Sequence, residues 1–264
     1  MNRRPLWLAL AVACVAVAGC AAQPTAETTL KPPTTMTGDE ATERARARIH
    51  TELAGGYYEL GSMGVALEEV REALRSDANY GPAYSVAALI YAALKEDRLA
   101  EENFQRALRI DSLDSDANNN YGSFLCQRKR EEEGIRHFLE AVRNPLYQNP
   151  ERSYVNAGVC ARRRGDLATA EGYFQQALRL RPNQPQALYQ MADLAYARGA
   201  YDNAREHLNR LAQVASAGPE VLWLGVRISR RLDDRNSEAS YALQLRRNFP
   251  DSKEARALTT GQIE

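Results

Sequence analysis

The chain has no surplus of charge of either sign. Its 264 residues carry 34 Lys plus Arg against 34 Asp plus Glu, and without Arg3 and Arg4 the balance is 32 against 34. That balance lends no support to nucleic-acid binding, which needs a basic field to neutralise phosphates. Histidine is scarce, and His50, His137 and His207 stand at unrelated spacings, so no zinc-type His/Cys cluster is available and no metal is expected. A glycine-rich phosphate loop and a nucleophile elbow are also missing. No cofactor, small-molecule substrate or enzymatic activity is therefore expected. The acidic run Glu131, Glu132, Glu133 is accounted for as the solvated start of a helix, where negative charge is favourable. Long apolar runs are absent with one exception, Leu6 to Ala18, whose roughly dozen residues fall short of the roughly 20 that a permanent span requires.

That exception lies behind Arg3 and Arg4 and ends in Val17, Ala18, Gly19 and Cys20, the layout of a secretory signal over residues 1–19. Two outcomes are open. One is an ordinary signal peptide cleaved nearby. In the other, because small residues followed by cysteine resemble the bacterial lipobox, the Cys20 thiol is acylated and becomes the anchor. Each buried CH₂ of an acyl chain contributes about 0.8 kcal/mol, and two or more chains make anchoring stable. Ala21 resembles the sorting position of lipoproteins forwarded to the outer membrane, so the expected location is that membrane, facing the periplasm. Residues 20–46 are rich in Thr, Pro and Ala and poor in large apolar side chains. Such a segment cannot bury enough surface to offset ordering entropy and reads as a flexible tether.

What is present is a repeat. A pair of small residues twelve apart recurs from Ala54: the first series runs Ala54, Ala88, Gly122, Gly158, Ala192, Val226, with steps of 34, 34, 36, 34 and 34. The second series runs Ala66, Ala100, Gly134, Ala170, Ala204, Glu238. Four residues beyond it stand Val70, Phe104, Phe138, Phe174, Leu208 and Ala242, on the same helical face. Each unit is therefore a helical hairpin that buries its face only against its neighbours. The segments 81–114 and 151–184 resemble the tetratricopeptide repeat, carrying Tyr84, Ala88, Ala100, Phe104 and Ala107, and Tyr154, Gly158, Ala170, Phe174, Ala177 and Pro182. The resemblance implies an all-α, right-handed superhelical solenoid of six repeats over 47–252, followed by a C-terminal tail, 253–264. The third repeat carries two extra residues near 144–150. The sixth, with Val226, Ser229 and Glu238 at its signature positions, is expected to be a degenerate capping unit.

Cys126 and Cys160 lie 34 apart in the first helices of repeats three and four. An oxidising periplasm would permit a disulfide between them, while two separate buried thiols remain the alternative. In a tetratricopeptide array the first helix of each unit lines the concave face. The expected partner-binding groove then comprises Tyr58, Leu89, Ala92, Ala93, Asn119, Ser123, Gln127, Val159 and Arg162, running from apolar and amide residues towards Trp223, Arg227, Arg230 and Arg231. An apolar stretch suits a peptide laid in a groove, and the amides could bond its backbone. The basic positions by which some chaperone-binding repeats hold a terminal carboxylate are here Thr51, Ser85 and Asn119.

The stretches 118–127 and 156–166, with the lipobox, tether and six repeats, resemble the type IV pilus biogenesis lipoproteins PilF and PilW over about residues 20–252. The resemblance implies a pilotin that binds type IV pilus secretin subunits and promotes their outer-membrane localisation and multimerisation. It also implies a Cys126–Cys160 disulfide. A scaffold lipoprotein gathering peptidoglycan or envelope enzymes is the competing expectation, because periodicity specifies only a scaffold.

Overall fold

A computed structural model describes residues 38–260. Cys20 and the expected signal lie outside the described residues, as does the tether up to residue 37. The described residues form thirteen helices and no strand. Twelve pair as consecutive antiparallel hairpins: α1 (Gly38–Glu59) with α2 (Met63–Ser76), α3 (Gly81–Ala93) with α4 (Asp97–Ile110), and α5 (Ser115–Gln127) with α6 (Glu131–Ala141). They continue with α7 (Pro150–Arg163) and α8 (Leu167–Leu180), α9 (Pro185–Ala197) and α10 (Tyr201–Ala212), and α11 (Pro219–Arg231) and α12 (Arg235–Asn248). Helix α13 (Lys253–Thr260) follows. Each hairpin stacks on the next, which is the tetratricopeptide superhelical architecture expected from the spacing.

The small residues act at the helix crossings. A Cβ on Gly122 would stand 2.9 Å from Cδ1 of Phe138 and 2.8 Å from the Gly134 carbonyl oxygen. The two glycines thus let the α5 and α6 backbones approach closely, while the Phe138 ring fills the space beside them. Phe104, Phe138 and Phe174 are fully buried at equivalent places.

The turns inside the hairpins share the period. Gly61, Lys95, Lys129, Gly165, Gly199 and Asp233 all have positive φ, between 53° and 85°. The next residue's N–H donates to a carbonyl five back, as in Ser62 to Tyr57, Glu96 to Tyr91 and Asp166 to Ala161. This is the Schellman ending, in which a left-handed residue lets two otherwise orphaned carbonyls be satisfied. Three units accomplish it without glycine.

Two boundaries and one crossing residue differ from the sequence-based expectation. Helix α1 begins at Gly38, well ahead of residue 47. The expected tail is a helix over Lys253–Thr260, whose Ala255 is buried with Leu222 and Leu245. It covers the apolar end that the last hairpin would otherwise expose. In the sixth repeat the close crossing is made by Gly225, whose missing Cβ would stand 2.8 Å from Cγ of Tyr241, and not by Val226. The sixteen-residue spacing of Gly158 to Phe174 is preserved but shifted by one position, so this unit keeps the same packing device.

Candidate docking surfaces

No element precedes α1 among the described residues, so only one side of that helix is covered. Ala47, Thr51 and Ala54 face the array and are buried. The other side carries Ile49 and Leu53, with Leu60 just past the helix end, and these remain 49%, 45% and 78% exposed. With Glu52, Gly56 and Tyr57 they line a shallow groove of about 380 Å³. Steps of four from Ile49 to Leu53 and seven from Leu53 to Leu60 form one apolar stripe with no partner among the described residues. Tyr58, expected to line the groove, lies instead on the covered side.

Further along, the expected groove divides. Tyr58 packs with the buried Ala54, Ala87 and Ile90 of the first two hairpins. Leu89 and Ala92 are half-buried against the Phe104, Tyr121 and Phe124 cluster, and only Ala93 is open. Asn119 is fully buried: its Oδ1 accepts hydrogen bonds from Ser153 Oγ at 3.1 Å and Asn156 Nδ2 at 2.9 Å. Its side-chain carbonyl, expected to reach a bound backbone, is instead used to satisfy the α5–α7 interface, because a buried amide must find partners within the protein. Ser123 Oγ donates to the Asn119 carbonyl at 3.0 Å. Ser123, exposed Gln127 and half-buried Val159 do come together, with Asn156 and Arg163, around a small pocket of about 120 Å³.

That pocket abuts Cys126. The Cys126 and Cys160 sulfurs are bonded to one another, with a Cα–Cα distance of 5.8 Å, tying α5 to α7. The next interface is held by charge: Arg162 donates to Gln190 Oε1 at 2.6 Å and pairs with Asp193. Arg162 is thereby engaged within the protein, which removes it from the expected set of docking cations. Beyond it, Tyr189, Asp193, Glu220, Trp223, Arg227 and Glu254 line a cavity of about 410 Å³ between α9, α11 and α13. Burial raises the pKa of the Tyr189 hydroxyl, with the Asp193 charge adding to the effect. The phenol stays protonated at neutral pH.

Comparison with known proteins agrees with this architecture. The tetratricopeptide repeat family matches residues 161–222 and 81–112. The type IV pilus assembly protein PilF of Pseudomonas aeruginosa PAO1 is 35% identical over 216 residues, covering 82% of this chain and 85% of that protein. A solved structure of Pseudomonas aeruginosa PilF superimposes with a TM-score of 0.75 at 33% identity, covering 83% of this chain and 99% of its own. PilW, described as a widely conserved type IV pilus biogenesis factor, superimposes with a TM-score of 0.71 at 31% identity, covering 81% and 98%. By identity and coverage of more than four-fifths of its length, the chain belongs to the PilF/PilW family of tetratricopeptide-repeat proteins.

Proposed function

We propose that this protein is a pilotin of type IV pilus biogenesis, an outer-membrane lipoprotein acylated at Cys20. It binds secretin subunits and promotes their localisation and assembly into multimers. Family membership supports the role in pilus biogenesis. The observation that carries the binding reading is the apolar stripe of Ile49, Leu53 and Leu60, beside Tyr57, left open on the first helix. An amphipathic secretin segment would lay its apolar side chains on that stripe. Gly56, having no side chain, lets the segment come close to the α1 backbone. The stripe stands at the end of the array nearer the N-terminus, and therefore nearer in sequence to the anchor.

The test is Leu53→Glu, alone and with Leu60→Glu. Both side chains are exposed in the free protein, so the thermal melt should not change. A docked segment would desolvate the new carboxylates, so secretin multimers on non-reducing gels should fall and monomer should rise. Normal multimers formed by the folded double variant would refute binding at this stripe. The anchor is tested separately: Cys20→Ser protein should leave the outer-membrane fraction, and retention after a high-salt wash would refute acylation as the means of attachment.

A further inference from the structure

At the far end of the array Arg227 is half-buried, unlike the exposed Arg246 and Arg247. Arg227 extends from α11 with its guanidinium carbon 4.3 Å from the centroid of the Tyr196 ring. Its Nε is buried without a hydrogen-bond partner, and no ion pair to Arg227 is found among the described residues. The neighbouring arginines differ: Arg162 pairs with Asp193, Arg198 with Glu171, and Arg230 with Glu238. A buried N–H without an acceptor is costly, and Arg227 as a whole is only half-buried, which leaves its charge within reach of the cavity.

The cavity in which Arg227 stands has acidic members, yet each is engaged locally. Asp193 is held by Arg162. Glu220, in the first turn of α11, folds back so that its Oε2 lies near Gly218 at the helix N-cap. Glu254 is in the first turn of α13 with the Lys253 ammonium 3.7 Å away. A carboxylate in the first turn is stabilised by the helix dipole, so neither glutamate depends on Arg227. The remaining walls are Tyr189, Trp223, Leu224 and Ala257, which present ring and aliphatic surface. Arg227 is thus a planar, permanently charged donor set, steadied by an aromatic face and bordering a half-apolar cavity of about 410 Å³.

We propose that this pocket between α9, α11 and α13 is a second peptide site, which takes a side-chain carboxylate on Arg227 and an adjacent apolar side chain against Trp223 and Tyr189. A carboxylate in the cavity matches the guanidinium fork. The neighbouring apolar side chain would cover the part of the half-buried rings that the core packing leaves exposed. The site lies at the opposite end of the array from the α1 stripe and does not rest on it. A bound chain could therefore engage both ends, or two chains could be held at once.

The chain has two tryptophans, Trp7 and Trp223, so Trp7→Phe leaves Trp223 as the sole indole, positioned in the pocket wall. The probe is acetyl-Ala-Phe-Glu-Ala-amide, with the Gln peptide as its uncharged isostere, titrated into Trp7→Phe protein. The Glu peptide should shift Trp223 emission saturably, and the Gln peptide should bind about ten-fold more weakly, the value of a charge-assisted hydrogen bond. Arg227→Gln should abolish the preference, while Arg246→Gln, an exposed cation elsewhere, should leave it intact. Leu53→Glu should also leave it intact, which separates this site from the α1 stripe. No saturable shift, or equal binding of the two peptides to Arg227 protein, would overturn the proposal. Because the Glu and Gln peptides are compared on protein that retains Arg227, the answer stands even if Arg227→Gln melts early.

Discussion

The Cβ that Gly158 lacks would lie 2.5 Å from Cε1 of the Phe174 ring. Side chains in a close-packed interior do not approach so closely, so α7 and α8 cross at a separation only glycine permits. Gly158→Ala is therefore expected to destabilise the protein by about 1 to 3 kcal/mol through overpacking. That exceeds the roughly 1 kcal/mol gained in helix propensity. Urea unfolding measures the net effect. An unchanged midpoint would mean the two helices separate without cost. Gly225→Ala, facing Tyr241, should be destabilising for the same reason.

Lys95 and Lys129 occupy the left-handed turn position that Gly61, Gly165 and Gly199 fill elsewhere. A side chain in that conformation costs about 1 kcal/mol or more. Lys95→Gly should accordingly raise stability by roughly 0.5 to 1 kcal/mol, and Gly165→Ala should lower it by about 1 to 2 kcal/mol. A chemical denaturation series on the two variants checks both signs. Lys95→Gly without gain would show that the lysine is held there by contacts worth as much as the strain.

The bond between Cys126 and Cys160 spans 34 residues. In the chain-entropy model such a link contributes about 3 to 4 kcal/mol. Melting with and without reductant should reveal a loss of that order, matched by the Cys126→Ser, Cys160→Ser double variant. Thiol labelling of unfolded, unreduced protein lacking Cys14 and Cys20 should find no reactive sulfur. Two labelled cysteines would refute the bond in the native protein.

Leu89 and Leu53 look alike in sequence but differ in setting: Leu89 packs on the Phe104, Tyr121 and Phe124 cluster, whereas Leu53 stands nearly half exposed. Leu89→Glu should lower stability by roughly 1 to 3 kcal/mol because a charge is forced against an apolar surface, while Leu53→Glu should cost little. Circular dichroism melts distinguish them. Equal melts would mean that Leu89 belongs to an open groove.

His137 lies between Asn118 Oδ1, at 2.9 Å, and the Tyr121 ring, at 4.4 Å between centroids. Burial, with a smaller contribution from Arg136, holds its pKa below the ordinary 6.5 against the opposing pull of Glu133 and Glu140. His207 is lowered as well, by burial first and then Arg210. A lowered pKa means that the unfolded chain binds the proton more readily. The stabilisation is then complete above about pH 6.5 and is lost as pH falls through the folded values. Melting temperature should drop between about pH 7.5 and about pH 5.5, with a smaller drop in His137→Gln. Identical drops in the parent and the variant would show that His137 does not carry the effect.

The repeat was legible in the sequence because it is written in local terms. Steps of 34 in Ala88, Gly122 and their equivalents, with Phe104, Phe138 and Phe174 sixteen residues on, prescribe helical hairpins that must bury one face on each other. The same residues prescribe the order of stacking, since each unit has only its neighbours to cover it. Which side chains remain free is a different kind of property, because it depends on what the neighbouring helix offers. Asn119 looked available for a ligand but is consumed by Ser153 and Asn156 from the next hairpin, and Arg162 by Asp193 and Gln190. Conversely, Ile49 and Leu53 look like ordinary core residues of an amphipathic helix, and the position of α1 as the first of the described helices leaves them open. The periodic spacing determined the fold, because helix packing repeats with the chain. The tertiary structure alone decided the docking surfaces, because exposure and hydrogen-bond satisfaction are settled between repeats and not within them.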